Sequence, residues 1–162
     1  MNESRREPLA RVVYSALYTG FAPVAPGTAG SALAALLLLL PGRLPGLPAW
    51  ERPEWIAAIA VITLAGAWSA RYAEAKYGKD PGVVVIDEVA GMAVTLYLIP
   101  NGVAAVVAAF FLFRFFDIVK PWPVRTVEEG TGVWGIMLDD ILAGVYANVS
   151  LRLAIFLWGL LS

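Results

Sequence analysis

Four long uncharged runs constrain this 162-residue sequence more than any other feature. Val12 to Gly42 is 31 residues without a charge, Trp55 to Ala70 is 16, Val89 to Phe113 is 25, and Ile141 to Ser162 is 22 broken only by Arg152. A helix that crosses a bilayer needs about 20 mostly apolar residues, with about 17 to 25 the working range. Several of these runs reach that length. The competing reading, a soluble all-helical protein with a large core, requires each helix to keep a charged face, and these runs have almost none. Only 15% of the residues are charged and 59% are hydrophobic, against roughly 25% charged in an average soluble domain. The sequence therefore predicts one all-α domain over residues 1–162, an integral membrane helical bundle of about five spanning or half-spanning helices plus a short amino-terminal interfacial helix.

The charge balance narrows the function. Twelve Lys and Arg face 13 Asp and Glu, for a net charge of -1, and no basic stripe points to nucleic acid. Cysteine and histidine are both absent, which removes disulfides, zinc-finger sites and any Cys or His nucleophile or base. Catalysis must run on carboxylates, Lys, Arg, hydroxyls or a hard metal ion.

Along the chain, Met1 to Arg11 reads as a solvated start and not as a secretory signal, because Thr19, Gly20, Pro23 and Pro26 interrupt the apolar stretch after it. Leu9 to Phe21 is the expected interfacial helix. Gly27, Thr28, Gly30 and Ser31 precede a helix expected over Ala32 to Leu40, stopped at Pro41-Gly42. A loop with Pro45, Pro48 and Pro53 leads to a helix over Glu54 to Tyr77. Pro100-Asn101-Gly102 divides the third run into a hairpin, Ile86 to Ile99 and Val103 to Asp117. A polar connection, Lys120 to Val133 with Pro121, Pro123, Gly130 and Gly132, precedes a last helix expected over Leu138 to Leu160. In this layout Met1 to Arg11, Arg71 to Glu88 and Arg114 to Asp140 share one side with nine basic residues, against two in Arg43 to Glu54 and none in Pro100 to Gly102. The positive-inside rule makes the first side cytoplasmic. Arg152 alone falls within a span, to be accommodated by snorkelling or by an interhelical partner.

The acids collect on that same side, at helix ends: Asp87 and Glu88, Asp117, Asp139 and Asp140. Carboxylates this close to a bilayer are costly unless they meet cations or metal. Asp87, Glu88, Asp139 and Asp140 can also be explained as first-turn charges favoured by the helix dipole; Asp117, at a carboxyl end, cannot. Asp87-Glu88-Val89-Ala90-Gly91 resembles Asp139-Asp140-Ile141-Leu142-Ala143-Gly144, and Gly91 and Gly144 allow two helices to approach closely just below the acids. Four or five oxygen ligands suit Mg²⁺, with no nitrogen or sulfur to favour zinc. Arg114 and Lys120 flank Asp117, with Arg125 beyond, and are residue types that hold phosphate, although such cations also serve topology or lipid headgroups. Pro26-Gly27-Thr28-Ala29-Gly30-Ser31 offers backbone donors and the Thr28 and Ser31 hydroxyls before a helix, which is also ordinary capping, and it lacks the Lys of a P-loop.

These segments, in this order and spacing from about Thr19 to Asn148, resemble the phosphatidylglycerophosphatase A family. The resemblance rests on Pro26-Gly27-Thr28 with Gly30-Ser31, Asp87-Glu88 with Gly91, Phe113-Arg114 with Asp117, Lys120-Pro121 with Pro123 and Arg125, and Gly135-Ile136-Met137 followed by Asp139-Asp140 with Ala143-Gly144. The loop Pro41 to Arg52 and the tail after Asn148 carry no family motif. The resemblance implies a multi-pass enzyme of the bacterial inner membrane that uses Mg²⁺ to convert phosphatidylglycerophosphate to phosphatidylglycerol and inorganic phosphate. Its acidic motifs fall on Asp87, Glu88, Asp117, Asp139 and Asp140 as metal ligands. Read together with the charge pattern, Arg114, Lys120, Arg125, Thr28 and Ser31 are expected to hold the phosphate, and Asp140, Glu88 and Asp117 to take part in catalysis. A water held by the metal, with Asp140 or Glu88 as base, is favoured over an attacking Asp carboxylate because the acids come in pairs. Two alternatives compete. A cation transporter needs its acids at mid-span, and a CDP-alcohol phosphotransferase needs a spaced Asp-Gly, Ala-Arg, Gly and double-Asp signature that the sequence lacks.

Overall fold

A computed structural model describes residues 3–41, 43–44, 50–100, 102–126 and 132–161. Gly42, Pro45, Pro48, Asn101 and Gly130, which the sequence assigns to turns and loops, lie outside the described residues. Among the described residues the chain is all-helical: α1 (Glu3–Tyr14), a 3-10 turn (Thr19–Phe21), α2 (Pro26–Leu37), α3 (Trp55–Tyr77), α4 (Ile86–Leu96), α5 (Val103–Val119) and α6 (Val133–Leu161).

Two of these, α3 and α6, are long and apolar enough to cross a membrane. Only 33% and 22% of their apolar windows are buried within the protein. The core helix of a soluble protein would be mostly covered, so these two carry outward-facing apolar surface suited to lipid. α2, α4 and α5 have 12, 11 and 17 residues, or about 18, 16 and 26 Å at 1.5 Å per residue, below the length of a full span. The expectation of about five spanning or half-spanning helices thus resolves into two of spanning length and three shorter ones.

Two boundaries move in ways that matter. α2 begins at Pro26, so Gly27, Thr28, Gly30 and Ser31 belong to its first turns and do not form a loop before it; Pro at the first helical position has a preset φ and no donor to waste. α6 begins at Val133, after Gly132 in the left-handed region at φ 57. Asp139 and Asp140 therefore sit about two turns inside the helix, and its first turn holds no acid. A dipole-capping role for that pair is removed, whereas Asp87 and Glu88 do lie in the first turn of α4.

The core forms where α4 packs between α6, α5 and α2: Met92, Leu96, Ile99, Val106, Phe113, Ala143, Ala147 and Leu151 are all buried. Small residues let α4 and α6 meet backbone to backbone, as the paired Gly spacing predicts. A Cβ on Gly144 would stand 2.5 Å from the Gly91 carbonyl oxygen, and one on Gly91 would stand 2.7 Å from the Asp140 carbonyl oxygen. At the far end of α4, Asn148 Nδ2 donates to the carbonyls of Val94, Thr95 and Tyr97 at 3.2, 2.8 and 2.9 Å. Arg152 donates through Nη2 to the Tyr97 and Leu98 carbonyls and through Nε to Asn148 Oδ1. The charge inside the apolar run thus satisfies carbonyls that α4 leaves open where it stops, a place where the helix dipole also favours a cation.

Contacts between elements sort the connections into two ends. Lys76 pairs with Glu7 at 3.3 Å, joining the amino-terminal segment to the end of α3. Asp80, Asp117, Lys120 and Asp139 share one cavity. At the opposite end the Leu98 amide donates to the Trp50 carbonyl, and the Tyr97 hydroxyl to that of Pro53. The described parts of the three segments that hold nine of the 12 basic residues therefore gather at one end of the bundle.

Candidate active site

At that end the first turn of α4, the last turn of α5 and the second turn of α6 converge on a cavity of about 170 Å³. Asp87, Glu88, Asp117, Asp139, Asp140 and Lys120 line it, with Pro26 and Gly27 from α2 and Asp80, Pro81 and Gly82 from the loop before α4. The aligned small residues below explain the convergence: with α4 and α6 in backbone contact at Gly91 and Gly144, carboxylates one turn above are forced into proximity.

Asp87, Glu88, Asp139 and Asp140 are 8%, 9%, 6% and 3% exposed. One carboxylate oxygen from each of Asp87, Glu88 and Asp140 lies within 4.8 Å of the other two. Asp139 turns aside, accepting from Lys120 Nζ at 2.8 Å through Oδ2 and from the Asp140 amide at 2.9 Å through Oδ1. Asp87 Oδ1 accepts the Glu88 amide at 3.1 Å. Arg114 Nη1 forms ion pairs with Asp117 and, at 3.9 Å, with Glu88. The guanidinium is thus the cation that an acid at the end of α5 requires. Glu88 Oε2 is buried with no hydrogen-bond partner, and Arg114 Nε is likewise unsatisfied.

Three carboxylates this close and this buried repel one another and cost solvation unless a cation joins them. The donor set is all oxygen, which fits a hard divalent ion such as Mg²⁺. The orphaned Glu88 oxygen is one ligand atom such an ion would satisfy. Among the described residues this is the group of acids that can hold a metal. Gly27 belongs to the same geometry, since a Cβ there would stand 2.3 Å from Glu88 Oε1 and 3.2 Å from Arg114 Nη1.

The remaining predicted positions lie elsewhere. Ser31 is fully buried and its hydroxyl donates to the Gly27 carbonyl at 2.8 Å. Thr28 and Arg125 are not among the residues that line the cavity, and Arg125 is exposed. Arg114 is not a lining residue either but stands behind Glu88 and Asp117. Sequence reasoning missed Asp80, whose φ of 49 places it in the left-handed region. The Asp80-Pro81-Gly82 turn signal was present; what was lacking was its position over the acids.

A family model described as phosphatidylglycerophosphatase A matches residues 12–155. A Bacteroides thetaiotaomicron protein named "Putative phosphatidylinositol-3-phosphatase" is 42% identical over 84% of this chain and 87% of its own length. The phosphatidylglycerophosphatases A of Escherichia coli and Haemophilus influenzae are 36% and 37% identical, over 78% and 81% of this chain and 72% and 79% of theirs. No solved structure matches significantly. With the match running through every segment that builds the acidic cavity, the chain belongs to the phosphatidylglycerophosphatase A family of phosphatases.

Proposed function

We propose that this phosphatase hydrolyses the terminal phosphate monoester of phosphatidylglycerophosphate, with Mg²⁺, at the cytoplasmic face of a bacterial inner membrane, in glycerophospholipid biosynthesis. The observation that carries the reading is the buried triad of Asp87, Glu88 and Asp140 opening on a cavity that also holds Lys120. Family membership and the basic residues gathered at the same end support the substrate and the membrane face.

In this reading Asp87, Glu88 and Asp140 hold the ion. Bound there, Mg²⁺ supplies positive charge against the phosphoryl oxygens. Lys120 adds a second positive charge at the cavity wall, and the Asp117–Arg114 pair fixes Glu88 from behind. A water drawn against Asp140 or Glu88 gives its proton to that carboxylate as its oxygen bonds to phosphorus. The ester P–O bond breaks and the departing glycerol oxygen takes that proton from the carboxylic acid, leaving phosphatidylglycerol and inorganic phosphate and restoring the carboxylate. The cavity, at about 170 Å³, is smaller than the about 300–1,000 Å³ of pockets that enclose a drug-sized ligand. It admits the phosphate and leaves the rest of the headgroup outside.

The name of the Bacteroides relative favours a second substrate, phosphatidylinositol 3-phosphate, also a lipid phosphate monoester. Purified protein should release phosphate from phosphatidylglycerophosphate faster than from phosphatidylinositol 3-phosphate. EDTA should stop the reaction and Mg²⁺ restore it, while Asp140→Asn lowers the rate at least about 100-fold. No release from phosphatidylglycerophosphate under any condition sinks the proposal, and the reverse order of rates transfers it to the inositol lipid.

A further inference from the structure

A second cavity, about 830 Å³, lies between α1 and α3 and shares no lining residue with the acidic one. Arg6 and Glu7 of α1 and Trp68, Arg71, Tyr72 and Lys76 of α3 form its walls. Lys76 pairs with Glu7, but among the described residues neither Arg6 nor Arg71 has a carboxylate within ion-pair distance; the Arg71 Nε donates only to the Trp68 carbonyl, at 3.3 Å. Three cations against one acid leave the cavity positive.

This cavity does not end in water on every side. Trp68 and Arg71 also line a smaller groove of about 220 Å³ between α3 and α6, whose other walls are Leu64, Ala67, Val133 and Trp134. Leu64, Ala67, Trp68, Arg71 and Ala75 recur at three- and four-residue steps and so form one stripe on α3. From Leu64 to Lys76 the stripe runs about 18 Å at 1.5 Å per residue, apolar at one end and cationic at the other. Leu64 and Trp134 are 59% and 46% exposed, so the groove opens to the lipid side. A guanidinium fork recognises phosphate, the aromatic pair Trp68 and Tyr72 suits the bilayer interface, and a bare apolar lane suits an acyl chain.

We propose that this composite groove seats one anionic glycerophospholipid of the bilayer, with its phosphate at Arg6, Arg71 and Lys76 and an acyl chain along Leu64, Ala67 and Trp134. The bound lipid ties α1 to α3 and α6 and is not the molecule undergoing reaction, so the proposal stands apart from the phosphatase reading.

The test measures binding and needs no turnover. Purified protein is reconstituted in phosphatidylcholine vesicles carrying brominated phosphatidylglycerol or, in parallel, brominated phosphatidylcholine, and tryptophan quenching is followed against mole fraction. Wild-type protein should favour the anionic quencher, and Trp68→Phe with Trp134→Phe should remove most of the excess quenching. A cation set against a bound anionic headgroup is worth about fivefold in lipid binding, so Arg6→Gln with Arg71→Gln should lower the preference by about 25-fold. Arg71→Gln alone should lower it about fivefold, and Arg71→Lys, which keeps the charge but loses the fork, should lower it by less. Lys79→Gln, an exposed cation at the same end but outside the groove, should change nothing. Equal quenching by both lipids in the wild type, an equal loss in Lys79→Gln, or displacement of the lipid by soluble glycerol 3-phosphate would overturn the proposal.

Discussion

Gly27 shows how one residue can carry two meanings. In the sequence it belongs to a turn that offers amides to a phosphate; in the structure it lies within α2 and brings backbone against the Glu88 carboxylate and the Arg114 guanidinium. Gly27→Ala forces Glu88 to move, because its Oε1 would stand 2.3 Å from the new Cβ. A flexible side chain can give way, so the variant should fold with thermal stability within about 1 kcal/mol of wild type. Its activity should fall at least about tenfold, read as phosphate release at saturating Mg²⁺. Lys120 is a different case. Its ammonium holds Asp139 at 2.8 Å and faces the cavity, so Lys120→Ala should lower kcat/KM about 10- to 100-fold, the range for losing a hydrogen bond to a charged group. Because the substitution removes positive charge near the acids, the Mg²⁺ concentration for half-maximal activity should not rise; a rise would make Lys120 a support of the metal ligands instead.

At the scale of elements, the site exists because α4 and α6 touch. Gly144→Ala places a Cβ 2.5 Å from the Gly91 carbonyl, and backbone cannot swing away as a side chain can. The two helices must separate, and the cost for such overpacking is about 1–3 kcal/mol. A lowered midpoint in a denaturation series, together with weaker Mg²⁺ activation, is the expected result; unchanged stability would mean that α6 can shift without loss. The clamp formed by Asn148 and Arg152 on the α4 carbonyls gives the lone charge within the last run a structural purpose. The sequence alone does not choose between snorkelling and a partner for that Arg, since the partners are carbonyl groups, which every residue has. Likewise, α6 starts earlier than the expected Leu138. The apolar residues Val133 to Met137 sit next to a Gly-rich connection in the sequence, yet they continue the helix back to the Gly132 turn, which carries Asp139 and Asp140 inward.

For the whole molecule, the expected sidedness can be tested by cysteine labelling, because the sequence has no cysteine of its own. Lys79→Cys, beside the acidic cavity, should react with a membrane-impermeant thiol reagent only after inverted vesicles expose the cytoplasmic face. Arg52→Cys, at the other end, should react in intact spheroplasts. The opposite pattern would place the acids outside. Uncharged runs, a missing His and Cys, and acids paired with downstream Gly determined that the chain is helical, suited to a membrane, and limited to chemistry on carboxylates, Lys, Arg, hydroxyls or a hard metal ion. These properties come from composition and period, which act locally. Which carboxylates meet, that Asp139 turns to Lys120 while Asp87, Glu88 and Asp140 converge, and that Ser31 turns inward to Gly27 were decided by the tertiary structure. Those outcomes depend on helix register and on how closely two backbones approach, and one-dimensional spacing fixes neither.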